Sequence, residues 1–125
     1  MDINQIKSNL QMKYIFFSNY SFSRDVIISA GDCNIDLQKR IKKIKDHEYQ
    51  IILKTEIKKQ DLHLELETLA EFIYDADDYS KEETIINANT VAIMFPFIRS
   101  QVTLMTSQPG MAPIVLPPIN ALKLE

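Results

Sequence analysis

The chain is poor in the residues that build covalent or phosphate-binding frameworks. It has one cysteine, Cys33, in 125 residues, so no intrachain disulfide can form. It has two glycines, Gly31 and Gly110, far apart. A P-loop or a dinucleotide fingerprint needs clustered glycines to bring backbone N–H groups against phosphate, so both are excluded. Tryptophan is absent and charge of one sign is not in excess: the formal net charge is −3, which gives no global pull toward nucleic acid. No stretch reaches the roughly 20 consecutive apolar residues of a spanning helix, so membrane insertion is not expected. The first ten residues hold no long apolar run, so a secretory leader is not expected and a cytoplasmic location is; a lone cysteine fits a reducing compartment, and a cysteine-poor secreted protein would look the same.

What is present is ordinary for one globular domain spanning 1–125: 46% apolar and 25% charged residues. Charge is unevenly placed. Residues 36–59 carry a net +4 and residues 61–83 a net −8. Residues 12–22 are rich in aromatic and branched side chains and read as a strand, with residues 24–28 extending it after a bend. Residues 32–37 alternate, with Cys33, Ile35 and Leu37 on one side. Residues 39–45 are basic with an isoleucine every third position, and are read as a loop or an exposed helical turn. Residues 48–58 alternate cleanly: Tyr49, Ile51, Leu53 and Ile57 share one face. After a short connection at residues 59–61, residues 62–74 alternate again through Leu62, Leu64 and Leu66. The added apolar Leu69 and Ile73 predict a bulge or two-sided burial.

Residues 75–83 read as an acidic loop. A helix is predicted from Asn87 or Asn89 to Thr106 or Ser107. Val91, Met94, Phe95, Ile98, Val102 and Met105 form its apolar stripe. Ile93, Phe97 and Leu104 are apolar on another face. A helix apolar on two faces needs two covering surfaces, and in so short a chain the second is expected from another subunit. Pro96 should kink the helix unless the helix restarts there. Gln108, Pro109 and Gly110 stop it, and the proline-rich residues 111–118 are extended coil.

No reactive constellation emerges. His63, Glu65 and Glu67 could share one strand face, but a solvated polar face is the simpler reading. Asp75, Asp77 and Asp78 open like a calcium loop, yet Ser80 stands where that loop needs glycine and Ile86 where it needs glutamate. Cys33 alternates with Ile35 and Leu37 and reads as a buried thiol rather than a nucleophile. The sequence therefore argues for binding, not enzymatic catalysis.

Several motifs carry a resemblance. Phe95-Pro96-Phe97-Ile98-Arg99 lies in the helix. Thr106-Ser107-Gln108-Pro109-Gly110 closes it, followed by Leu116-Pro117-Pro118-Ile119-Asn120-Ala121-Leu122. Upstream stand Cys33-Asn34-Ile35-Asp36-Leu37 and Glu48-Tyr49-Gln50-Ile51-Ile52-Leu53-Lys54. In this order and spacing the chain resembles the SecB export chaperone family over residues 11–122. The resemblance implies an α+β protomer, a four-stranded antiparallel sheet with one long C-terminal helix packed on it, and a homotetramer built as a dimer of dimers. It implies a molecular chaperone that uses no ATP or other cofactor, binds unfolded or precursor polypeptides in apolar grooves, and hands them to the SecA motor.

Position by position, the resemblance places Cys33, Ile35, Leu37, Phe95 and Phe97 at the client groove. Oligomer contacts are expected at Leu64, Leu66 and Thr68 and, on the helix, at Val91, Met94, Ile98, Val102 and Met105. Motor docking rests on Glu65 alone: where the family has two acidic residues on the first strand this chain has Asn19 and Ser23, and His63 replaces a leucine. The chain stops near Glu125, short of the family's second helix and acidic tail. A relative dedicated to one partner, such as an antitoxin, and an oligomerisation domain without a client are the alternatives.

Overall fold

The computed structural model of the protein describes residues 9–25 and 33–118. Four strands and one helix follow in order: β1 (Leu10–Arg24), β2 (Asn34–Lys45), β3 (Glu48–Lys59), β4 (Leu62–Tyr74) and α1 (Glu82–Thr106). All pairings are antiparallel and the sheet order is β1-β4-β3-β2. β2, β3 and β4 form a meander, and β1 lies beside β4 at the opposite edge from β2, a Greek-key arrangement. This is the expected α+β architecture.

The alternation in β3 and β4 sets the layers. In β4 the even positions from Leu62 to Tyr74 are buried and the odd positions are half-buried or exposed. Their partners Ile51, Leu53, Thr55 and Ile57 on β3 face the same way, because the register sets odd β3 residues opposite even β4 residues and even opposite odd. This face meets the inner stripe of α1. The core joins Leu37, Ile51, Leu53, Ile57, Leu64, Leu66 and Phe72 to Val91, Met94, Phe95, Ile98 and Val102. A side chain of this size contributes about 1.5–3 kcal/mol when fully buried.

Three sequence expectations need correction. Residues 39–45 are not a loop or helical turn; they continue β2, paired with β3 out to Lys45 opposite Glu48. The helix begins at Glu82, not at an asparagine cap. Lys81 is its cap residue and makes no side-chain cap bond, while Glu82 and Glu83 supply negative charge to the first turn. Asn87 instead lies inside the helix and donates its side-chain amide to the Glu83 carbonyl at 2.8 Å. The two-sided burial expected of β4 is found: Leu69 and Ile73 are half-buried on the outer face, and the strand irregularities sit across from it in β1, between Met12 and Tyr14 and between Phe17 and Asn19. Last, the eight residues expected at an oligomer interface, Leu64, Leu66, Thr68, Val91, Met94, Ile98, Val102 and Met105, are all buried within the single chain. Their apolar periodicity serves the protomer's own sheet–helix core.

The helix passes through Pro96 without restarting. Proline removes the N–H that would bond the Ala92 carbonyl, and both residues lie on the exposed side, where water can take that carbonyl. Past Thr106 the chain turns at Gly110, whose φ of 73° favours glycine, and returns along the helix as an extended segment. Three bonds fasten it: Arg99 Nε to the Leu116 carbonyl at 3.1 Å, Thr103 Oγ1 to the Ile114 carbonyl at 2.8 Å, and the Ile114 N–H to Thr106 Oγ1 at 2.8 Å. The expected extension of the first strand over residues 26–28, Asp32, and the motif residues 119–122 lie outside the described residues.

Candidate functional site

The outward side of α1 is the first feature a soluble helix would not ordinarily show. Ala92, Pro96, Phe97, Ser100 and Leu104 are exposed along it. Phe97 is 44% exposed, Leu104 68%, and Val115 on the returning segment 72%. Between residues 84 and 106 the only charged side chain is Arg99, and it is turned toward the Leu116 carbonyl. A shallow cleft of about 570 Å³ runs between this face and the segment, lined by Pro96, Arg99, Ser100, Thr103, Leu104, Ser107 and Val115. A face whose one charged group is bonded to a backbone carbonyl has few strongly hydrated groups to strip, so an apolar polypeptide can cover it at low desolvation cost.

The five groove candidates fall into three settings. Leu37 and Phe95 are 1% and 2% exposed and belong to the core, so a chain lying on the protomer surface does not touch them. Cys33 and Ile35 are half-buried against that core at the start of β2, on the helix side of the sheet. Phe97 stands on the outer helix face. Leu104 and Val115 add to that outer surface; Leu104's helical phase already marked it, whereas Val115 sits in a proline-rich tail with no periodicity to read.

The outer sheet face is mixed: Tyr14 and Phe16 are exposed beside half-buried Ile52, Leu69 and Ile73, while toward the β3–β4 turn it is polar and mostly acidic along β4. Register rows cross the strands as Ser21–Glu65–Glu56–Asp36 and Ser23–His63–Lys58–Asn34. Asn19, Ser23, His63 and Glu65, the positions compared with motor docking, therefore all share this face. His63 Nε2 lies 2.9 Å from Glu56 Oε2 and 3.7 Å from Glu65 Oε1. These three could together offer ligand atoms to a metal ion; Glu56, not Glu67, is the third member. The hydrogen bond from His63 holds the Glu56 carboxyl below its usual range.

A second cluster closes the opposite end of the helix. His47, at φ 63° in the β2–β3 turn, presents Nδ1 to the Glu82 carboxylate, and the Tyr49 hydroxyl donates to the other oxygen of that carboxylate. Tyr79 stacks on His47 with ring centroids 3.8 Å apart. Burial, then the bond to Glu82, pushes the Tyr49 hydroxyl up to about 12. Burial raises Glu82, but the Tyr49 and His47 bonds outweigh it and leave the carboxyl below its ordinary value. The residues are about 35 apart in sequence, and no local pattern could have brought them together. Here the hairpin is tied to the first turn of α1. Among the described residues no helix is long and apolar enough to cross a membrane.

The architecture is a strand meander, with a first strand beside it, and one long helix whose outward side is exposed. The solved structures agree on the fold. The SecB-like chaperone Rv1957 of Mycobacterium tuberculosis, determined with a ChAD peptide from the HigA1 antitoxin, superimposes with a TM-score of 0.70 at 13% identity, covering 86% of each chain. A protein of unknown function from Streptococcus agalactiae follows at TM-score 0.56 and 10% identity, over 86% of this chain and 96% of its own. An uncharacterised protein of Methanocaldococcus jannaschii is 28% identical over 120 residues, 90% of this chain and 77% of its own. The model of the preprotein translocase subunit SecB matches residues 4–124, and the chain belongs to the SecB family.

Proposed function

We propose that this protein is an ATP-independent molecular chaperone that holds non-native polypeptides on apolar surface, without enzymatic chemistry or cofactor. The observation that carries the reading is the uncharged outward face of α1, with Phe97 and Leu104 exposed and Val115 beside them, in a chain of the SecB family. Cys33 and Ile35, half-buried at the start of β2, add a second apolar contact. Burial of client side chains gives roughly 25 cal/mol per Å² and is non-directional, so one surface accepts many sequences. Assembly as a dimer of dimers in the cytoplasm would deepen that surface into a groove. The test is aggregation of a chemically unfolded client, followed by light scattering at stoichiometric ratio. The chaperone slows it; unchanged aggregation overturns the reading.

Within this role, service to one dedicated partner is favoured over general export. Asn19 and Ser23 are neutral where motor docking calls for acids, and only Glu65 remains on that face. The solved SecB-like chaperone bound to an antitoxin peptide is in keeping with a polypeptide client of this kind. A pull-down that returns one protein supports dedication; one that returns many precursors together with SecA supports export.

A further inference from the structure

We propose that the outer edge of β2 accepts an extended acidic polypeptide segment as a fifth strand. β2 ends the sheet, with β3 on one side and no strand on the other among the described residues. Alternate residues of such an edge turn N–H and C=O groups outward, ready to pair with another chain. Over 12 residues that edge is long for an unpartnered strand.

Its side chains choose the partner's chemistry. Lys39, Arg40, Lys42, Lys43 and Lys45 place five cations in seven residues with no acid among them. Across the register Arg40 faces Ile52 and Lys42 faces Gln50, so β3 offers neither a carboxylate, and neither has an ion pair among the described residues. Lys39 donates to the Asn87 carbonyl at 3.1 Å, a neutral acceptor. Lys43 approaches Asp46 only at 3.8 Å between exposed groups, while Lys45 pairs with Glu48 at 3.0 Å. The Lys43–Asp46 pair, exposed on both sides, holds little and yields readily to a competing carboxylate. Arg40 and Lys42 project to the outer face, and Ile41 lies on the helix face between them. A strand with acids at alternate positions on one face and apolar or small residues on the other matches this edge. Backbone pairing gives such a complex its affinity and the alternate side chains its specificity. The proposal stands on β2 alone and survives or fails independently of the chaperone surface on α1.

The experiment uses the full chain and fluorescein-labelled alternating Glu-Thr and Lys-Thr peptides of about ten residues, read by anisotropy. The Glu-Thr peptide binds about tenfold or more tightly than the Lys-Thr peptide, and weakens as salt rises. Arg40→Glu with Lys42→Glu loses about tenfold of that affinity while the thermal midpoint stays within a few degrees. A Glu-Thr peptide N-methylated at alternate residues keeps its charge but cannot pair as a strand, and it binds about tenfold more weakly. Equal binding of the methylated peptide, equal binding of the lysine peptide, or binding of a dT oligonucleotide in place of the acidic peptide overturns the proposal. So does an edge that binds none of the probes, its lysines then serving only to repel other strands.

Discussion

The two sides of α1 each carry a phenylalanine and further apolar residues, in opposite circumstances. The inner side carries Val91, Met94, Phe95, Ile98, Val102 and Met105, all buried against the sheet. The outer side carries Ala92, Pro96, Phe97, Ser100 and Leu104, all exposed, and between residues 84 and 106 only Arg99 is charged. The comparison separates two uses of one residue type. Apolar side chains on the inner side hold the protomer together; on the outer side they are exposed and contribute little to it, which leaves them to the proposed client surface.

Neighbouring phenylalanines test that division most sharply. Phe95→Ala removes a core ring and costs about 3–5 kcal/mol in urea unfolding. Phe97→Ala, two positions on, changes stability by about 0.5 kcal/mol or less. Equal losses would erase the distinction. Phe97→Glu together with Leu104→Glu is next: the fold persists by circular dichroism, while protection of an unfolded client falls about tenfold or more, since two charges must then be desolvated. A smaller effect concerns how the helix is moored. Tyr49 is raised to about 12, so its folded state prefers the protonated hydroxyl. That contribution is intact below the ordinary tyrosine value of about 10 and is lost as pH rises toward 12. Glu82 is lowered, so its contribution is intact above the usual carboxylate range and is lost as pH falls below it. Tyr49→Phe should flatten the alkaline limb of thermal stability against pH, and Glu82→Gln the acid limb. The smallest effect sits under the inner face, where the Thr55 and Thr68 hydroxyls are buried without a partner. Thr68→Val should stabilise by about 1 kcal/mol in urea unfolding.

Much of this was legible from residue order, for stated reasons. β3 and β4 have one face in the core and one nearer water, so their period of two is plain, and the inner stripe of α1 is plain for the same reason at a period of 3.6. The second half of β2 was hidden because an edge strand rich in lysine need not alternate; Ile41 and Ile44, three apart, imitate a helix. Asn87 and Asn89 imitated caps, since asparagine favours local backbone bonds wherever it stands, and Asn87 makes one within the helix. The stripe from Val91 to Met105 announced that something covers it but not what; its own sheet does. Of the candidate surface, Phe97 and Leu104 were readable from helical phase, whereas Val115 becomes part of it only because Thr103, Thr106 and Arg99 fasten the returning segment.

The central claim is that the outward face of α1 is the working surface. Its most direct test is the mass in solution, by light scattering, of the natural chain and of the Phe97→Glu, Leu104→Glu variant, each with and without a permanently unfolded polypeptide. The account predicts a stable complex with the natural chain and none with the variant at the same concentration. A complex of equal mass and stability with both would contradict it.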